Sequence, residues 1–430
     1  MMKAILGLAV AGLTVAVLIL PNPEPPRVDL DVAVDPPSVA VCPVEEGSGR
    51  STTIGIASNV SGVGRFTVFA GGASAGSAEF STGASGSAAI AMSDVAAVGT
   101  AAGLAELPAL EASAASLLLG AESVAVATCL ATPAQQTLLA GGSTISGEQY
   151  QIHLMNPYAG EALVDLIVQS EAGLETTPQL RGVSVPARSS VLLDLSEVLP
   201  GRESLSITIE VVSGSVMAVG RFGVGADVAL WHSSTPALDW YVPIPAGGLG
   251  GDLVISTGVA AEVEYQLDLY GPEGLIEAFA EGVVPVRGAS VIPLGDLGLE
   301  SASAVRVVST QPVAVFFRAV SEAGVAITNG SAATASSWLL PGAGLVPGST
   351  GSVVILNAGI DESTVTVTAH SEQSVAEQFS LAGGGVIEFP AFAGNANAYT
   401  VEGEGFLVPL WVTATGTGTA YSIGVPILDE

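Results

Sequence analysis

One lysine, Lys3, and three histidines are all that this 430-residue chain contains of those residues, and cysteine is limited to Cys42 and Cys129. With Lys3 alone, no Gly-Lys-Ser/Thr phosphate loop, Ser-x-x-Lys pair or Schiff-base lysine can form in the rest of the chain. His153, His232 and His370 stand singly, without the His-Glu-x-x-His spacing of a zinc site. Each reads as a surface residue or a satisfied buried one. An Asp-x-Asp-x-Asp-Gly calcium loop is also missing. Gly72-Ala73-Ser74-Ala75-Gly76 fits Gly-x-Ser-x-Gly, but it lies in a small-residue turn rather than at a strand-to-helix elbow. No catalytic, cofactor-binding or metal-binding residue is therefore expected, and the chain reads as a non-enzyme.

Positive charge is scarce as well. Eleven Lys and Arg face 41 Asp and Glu, for a net charge of −30, with the acids spread along the chain. Such a surface repels phosphate backbones, which argues against nucleic-acid partners. Aromatics make up only 5%, while 49% of residues are hydrophobic and Gly (53) and Pro (25) are abundant, as many short strands joined by turns require.

Long apolar runs are limited to one, residues 4–20, interrupted only by Thr14 and preceded by Lys3. As a helix it rises about 25 Å, near the lower limit for a membrane span. The positive charge before it places the N-terminus in the cytoplasm and the remainder outside. Residues 1–20 are read as a signal anchor. A cleaved signal, giving a secreted protein, is the competing reading. Residues 21–40 carry six prolines (Pro21, Pro23, Pro25, Pro26, Pro36, Pro37) and read as an extended neck.

Beyond the neck the chain repeats itself. Strand-like patterns ending at Asn59, Asn156, Thr257 and Asn357 recur roughly every 98 residues, and valine-rich strands recur at Val124, Val216, Val313 and Val408. The period suits a small β-sandwich. In the third copy Val263, Tyr265, Leu267 and Leu269 alternate with Glu264, Gln266 and Asp268, the period of a half-buried strand. The expected fold is all-β: four tandem Ig-like sandwiches over residues 41–133, 134–237, 238–335 and 336–430. The Asn landmarks read as turn residues. Strands beside Pro186, Pro285 and Pro312 read as edges, because Pro cannot donate to a ladder. Extra Ala- and Leu-rich sequence between Asp94 and Val124 is expected to form one short helix. The copies could form a string or close into a propeller-like ring, and contacts between the first and fourth would distinguish these.

The order Val354-Ile355-Leu356-Asn357, a Gly-containing hairpin, the string from Val183 to Leu195 and the late Pro312-Val313-Ala314 resembles an actinobacterial envelope family, domain of unknown function 5719. The resemblance spans residues 40–430 and the N-terminal segment. It implies a membrane-anchored, outward-facing protein of high-GC Gram-positive bacteria and transfers no catalytic residue. The fourth copy departs from the pattern, with Ala391 where Asp194 and Asp296 stand.

Aligning the copies sets Cys42 against Trp240 and Cys129 against Arg318. Two facing cysteines outside the membrane imply a Cys42–Cys129 disulfide, and Trp240 with Arg318 a cation–π pair. The functional expectation is a binding or spacing scaffold in the envelope, with a protein or glycan partner. The alternative is an enzyme acting on envelope polysaccharide, or an accessory subunit of one. It requires a cleft lined by acids and an aromatic such as Trp231, Trp338 or Trp411.

Overall fold

The alternation read in the third copy becomes antiparallel strands in the computed structural model, which describes residues 39–427 apart from short turn positions. The expected anchor and nearly all of the neck lie outside the described residues. Val39 and Ala40, assigned to the end of the neck, instead open the first strand, Val39–Gly47. Among the described residues no helix is long and apolar enough to cross a membrane.

Each copy fills the same eight strand positions in two sheets, with the outer edge position split in two in the second copy and Val425–Ile427 added beside Ala335–Pro341 in the fourth. In the third copy the outer sheet runs Gly274–Val284, Val263–Gly271, the first half of Ser303–Ser321, then Ala237–Ile244. The inner sheet runs Ala289–Pro293, Asp252–Ser256, the second half of Ser303–Ser321, then Gly324–Asn329. Counted along the copy, the orders are 4-3-6-1 and 5-2-7-8. This is a sandwich but not the immunoglobulin arrangement, in which the first strand lies beside the second. Here the first strand lies beside the sixth.

Two local expectations are corrected. Pro312 sits within the strand Ser303–Ser321, which is central to both sheets. Its missing N–H falls in the irregular stretch between Ser309, the last partner of Val263–Gly271, and Val313–Ala314, where pairing resumes with Ala237 and Ser256, so no regular ladder position is lost. Pro186 and Pro285 follow strands that pair on one side only, as expected. The Ala- and Leu-rich segment of the first copy forms no helix among the described residues. It supplies the strands Thr100–Glu106 and Ala112–Gly120, joined where Leu107-Pro108 breaks what is one continuous strand in the third copy.

The four copies close on themselves. Their final strands, Ser123–Thr128, Asp227–His232, Gly324–Asn329 and Thr419–Ile423, pack side by side around a common axis, the fourth against the first. Both faces of these strands are buried. Alanine recurs along them (Ala125, Ala127, Ala229, Ala326, Ala420), which lets the backbones approach. Each seam has its own lock. Arg221 meets Glu45 at 3.1 Å between copies two and one, and the Ser206 and Ser256 hydroxyls meet at 2.6 Å between two and three. Phe317 stacks on Tyr421 between three and four. The Thr128 and Ser422 hydroxyls, 3.1 Å apart, join the fourth copy to the first. The ring, not the string, is the arrangement found.

Candidate functional site

The turn landmarks build the devices that hold the ring together. Asn156 and Asn357 end the second strand of their copies. The Asn156 amide donates to the Gly160 and Val185 carbonyls, and its Oδ1 accepts from Tyr158 N–H. Asn357 does the same with Asp361, Leu381 and Gly359. Thr257 performs the turn part with its hydroxyl, accepting from Val259 N–H. In the first copy the position belongs to Ser58, whose hydroxyl accepts from Val60 N–H, while Asn59 one residue on is exposed. The alignment was off by one there, because hydroxyl and amide side chains close the same turn.

These turns brace a second loop whose tip reaches the preceding copy. Arg188 and Arg287 hold φ of 49° and 51° at two such tips. Backbone bonds to Tyr158 and Val259 hold them there. Gly72 donates to the Arg188 carbonyl, tying the second copy to the first.

Cys42 and Cys129 are bonded, with Cα atoms 4.6 Å apart. Their structural equivalents differ from those of the alignment. Cys129 N–H bonds to Ala114, as Ser233 does to Ala218, Gly330 to Val315 and Gly424 to Pro409. Cys129 therefore follows the final strand, whereas Arg318 lies on the penultimate one. Val124 likewise belongs to the final strand, while Val313 and Val408 belong to the penultimate strands. Cys42 corresponds to Val242 and Leu340, two residues past Trp240 and Trp338. The disulfide fills the place where Gly330 and Gly424 make room for Val242 and Leu340.

Trp240 and Arg318 are consequently not a pair. The Trp240 indole donates to the Val313 carbonyl at 2.8 Å. Arg318 is drawn instead to the Asp252 carboxylate and the Gly141 carbonyl across the seam. The cation–π contact found among the described residues is Arg306 over Tyr241, 5.5 Å from the ring centroid. Arg306 also pairs with Asp239 and with the buried Asp268, and hydrogen bonding to Asp239 raises its pKa.

Asp227 and His153 are buried titratable groups at seams. Asp227 begins the second copy's final strand at the ring axis and is 5% exposed. It accepts from Val325 N–H at 2.7 Å, so a residue of one copy holds the next. A Cβ on Gly324 would overlap this carboxylate, which explains glycine there. Burial raises the Asp227 pKa, opposed by the Val325, Val228 and Val124 amides and by Arg50. His153 lies beneath the Arg221–Glu45 lock, where burial and then the Arg221 charge push its pKa down to about 3.

The roomiest opening among those found is a cleft of about 610 Å³ between the fourth copy and the first, lined by Ser58, Asn59, Thr368, His370, Thr400 and Glu402. Its polar lining is hydroxyl and amide with one imidazole and one carboxylate, and holds no Trp, Tyr or Phe. Trp231, Trp338 and Trp411, the aromatics an acid-lined sugar cleft would need, are core residues instead. Among the described residues no group of three or more His, Cys, Asp or Glu is placed to hold a metal ion.

The repeated strand order and its turn devices span the region matched by the family of unknown function DUF5719, residues 81–385. The chain belongs to this DUF5719 family. No curated protein matches it. Among solved structures it is similar to the tetra-tandem repeat in the extending region of a large adhesion protein, at 12% identity and a TM-score of 0.11, covering 91% of this chain and 100% of that one. It is also similar to two B repeat units of the collagen-binding protein of Staphylococcus aureus, at 9% identity and a TM-score of 0.10, covering 90% and 99%. Likeness at that level carries no argument about this DUF5719 chain.

Proposed function

We propose that this DUF5719 protein is a non-enzymatic scaffold of the bacterial cell envelope, anchored through residues 4–20 and projecting its four β repeats outside the membrane to bind or space envelope components. The observation that supports this reading is the mutual locking of the repeats. A string of sandwiches would flex at each linker, whereas seams closed by Arg221–Glu45, Ser206–Ser256, Phe317–Tyr421 and Thr128–Ser422 hold every surface loop in fixed relation. Fixed geometry costs a partner less ordering on binding. The −30 charge keeps such a surface soluble and turns it away from anionic lipid.

The test is location. The tagged full chain, expressed in a high-GC Gram-positive host, should sediment with membranes and be cut by protease added to intact cells. Leu13→Arg with Val17→Arg should move it to the soluble cytoplasmic fraction. Wild-type protein found in the cytosol would overturn the proposal.

A further inference from the structure

Most outer-sheet edges of the ring are blunted. The edge strand of the first copy, Ala73–Ser81, exposes Ala, Ser and Glu79. In the second copy it is broken into Gly173–Glu175 and Val183–Val185. In the fourth, Val375–Leu381, a single large apolar residue, Val375, is exposed, beside Glu377 and Gln378. Short, polar or broken edges are how proteins avoid unwanted strand pairing.

The third copy is different. Among the described residues its edge strand Gly274–Val284 pairs only with Val263–Gly271, on one side. It exposes Ile276 (49%), Val283 (48%) and Phe279 (39%). Glu277 and Glu281 are interleaved with them, also exposed. A bulge at Ala278, held by its N–H to Asp268, divides the strand. From Ala280 to Val284 the ladder is again regular. That leaves a free row of backbone donors and acceptors beside the series Phe279, Glu281, Val283 on one face.

We infer that Gly274–Val284 is a docking edge that takes an added β-strand from a partner protein, an extended segment with a basic residue flanked at alternate positions by apolar ones. The inference rests on the scaffold reading and names its partner class. Period-two alternation dictates the pattern: apolar side chains opposite Phe279 and Val283, and a cation opposite Glu281. Glu264, exposed on the neighbouring strand opposite Val283, adds to the same charge. A second copy of this chain is the poorer occupant. It would set Glu277 and Glu281 against their own counterparts, in chains already at −30 each.

The test uses the purified full chain and three fluorescein-labelled peptides of about ten residues. One repeats Val-Ser-Lys-Ser, which sets Val and Lys alternately along one face of an extended strand, one replaces Lys with Glu, and one carries Pro at alternate positions. The Val/Lys peptide should bind at least about tenfold more tightly than the other two, a difference of about 1.4 kcal/mol. Hydrogen-exchange protection should centre on 274–284. Glu277→Lys with Glu281→Lys should reverse the preference toward the Glu peptide, and Phe279→Asp should abolish binding while thermal unfolding stays unchanged. Equal binding of all peptides, protection elsewhere, or an unchanged preference in the charge-reversed variant would overturn the inference. So would a concentration-dependent dimer in sedimentation that Phe279→Asp dissolves, which would name the second copy as occupant. None of these results bears on membrane location, so the scaffold reading stands or falls separately.

Discussion

Replacing the disulfide separates three contributions: crosslinking, packing and coupling around the ring. Cys42 and Cys129 are 87 positions apart in the chain. In the chain-entropy account, a closed loop of that size stabilises the folded state by about 4.6 kcal/mol. Cys42→Ser with Cys129→Ser removes that and leaves two hydroxyls at residues that are 0% and 7% exposed. Each buried hydroxyl left without a partner costs a further 1–3 kcal/mol or so. The third copy shows an uncrosslinked solution, Val242 over Gly330. Cys42→Val with Cys129→Gly copies it, so this variant should lose the crosslink but be more stable than the serine pair by at least about 1 kcal/mol. Urea unfolding followed by two probes checks both points. All four tryptophans (Trp231, Trp240, Trp338, Trp411) lie outside the first copy. If the ring unfolds as one body, tryptophan fluorescence must report the lost first-copy disulfide at the same midpoint as circular dichroism. An unshifted fluorescence midpoint beneath an earlier circular-dichroism transition would refute the coupling. A serine pair as stable as the Val/Gly pair would refute the packing argument.

Three further outcomes are expected. Because burial raises the folded-state pKa of Asp227, its contribution to stability is greatest at low pH and declines as pH rises from the unfolded carboxylate range through that raised value. Asp227→Asn should therefore gain on wild type in urea midpoint between pH 4 and pH 7, and a constant difference would refute this. His153 has the opposite sign. Its pKa falls to about 3, so stability present above about 6.5 drains away as pH falls toward 3. His153→Gln should flatten that acid loss, and an imidazole that titrates near 6.5 by NMR would contradict the burial argument. At the closing seam, a Cβ on Gly55 would overlap the backbone of Gly342. Gly55→Val should therefore cost at least about 1–3 kcal/mol and expose the first–fourth junction to protease, whereas Gly99→Val, with open space around it, should do neither.

The disulfide was legible although the alignment behind it was shifted. Cys42 stands two residues from the position of Trp240, and in a strand two residues restore the same face, so the error left both sulfurs pointing into one sandwich. The same tolerance does not extend to Cys129 and Arg318, which lie on different strands, and the Trp240–Arg318 pair failed for that reason. Phe279 and Val283 could be read as strand residues, but not as exposed ones. Their exposure depends on Gly274–Val284 being the last strand of its sheet among the described residues.

What the sequence determined by itself was what local pattern governs: the all-β class from period-two alternation, four copies from the spacing of the turns, and the exclusion of lysine-dependent motifs by the single lysine. The final strands carry a further local signal. Val124 to Ala127 and Val325 to Ile327 are apolar without alternation, as strands covered on both faces must be. Only the tertiary structure decided what covers the second face. One copy of the repeat cannot encode it, because the covering surface belongs to the next copy, and for the fourth copy to the first. Closure depends on small residues and hydroxyls such as Gly55, Gly342, Thr128 and Ser422, whose significance comes from partners hundreds of positions away in the chain.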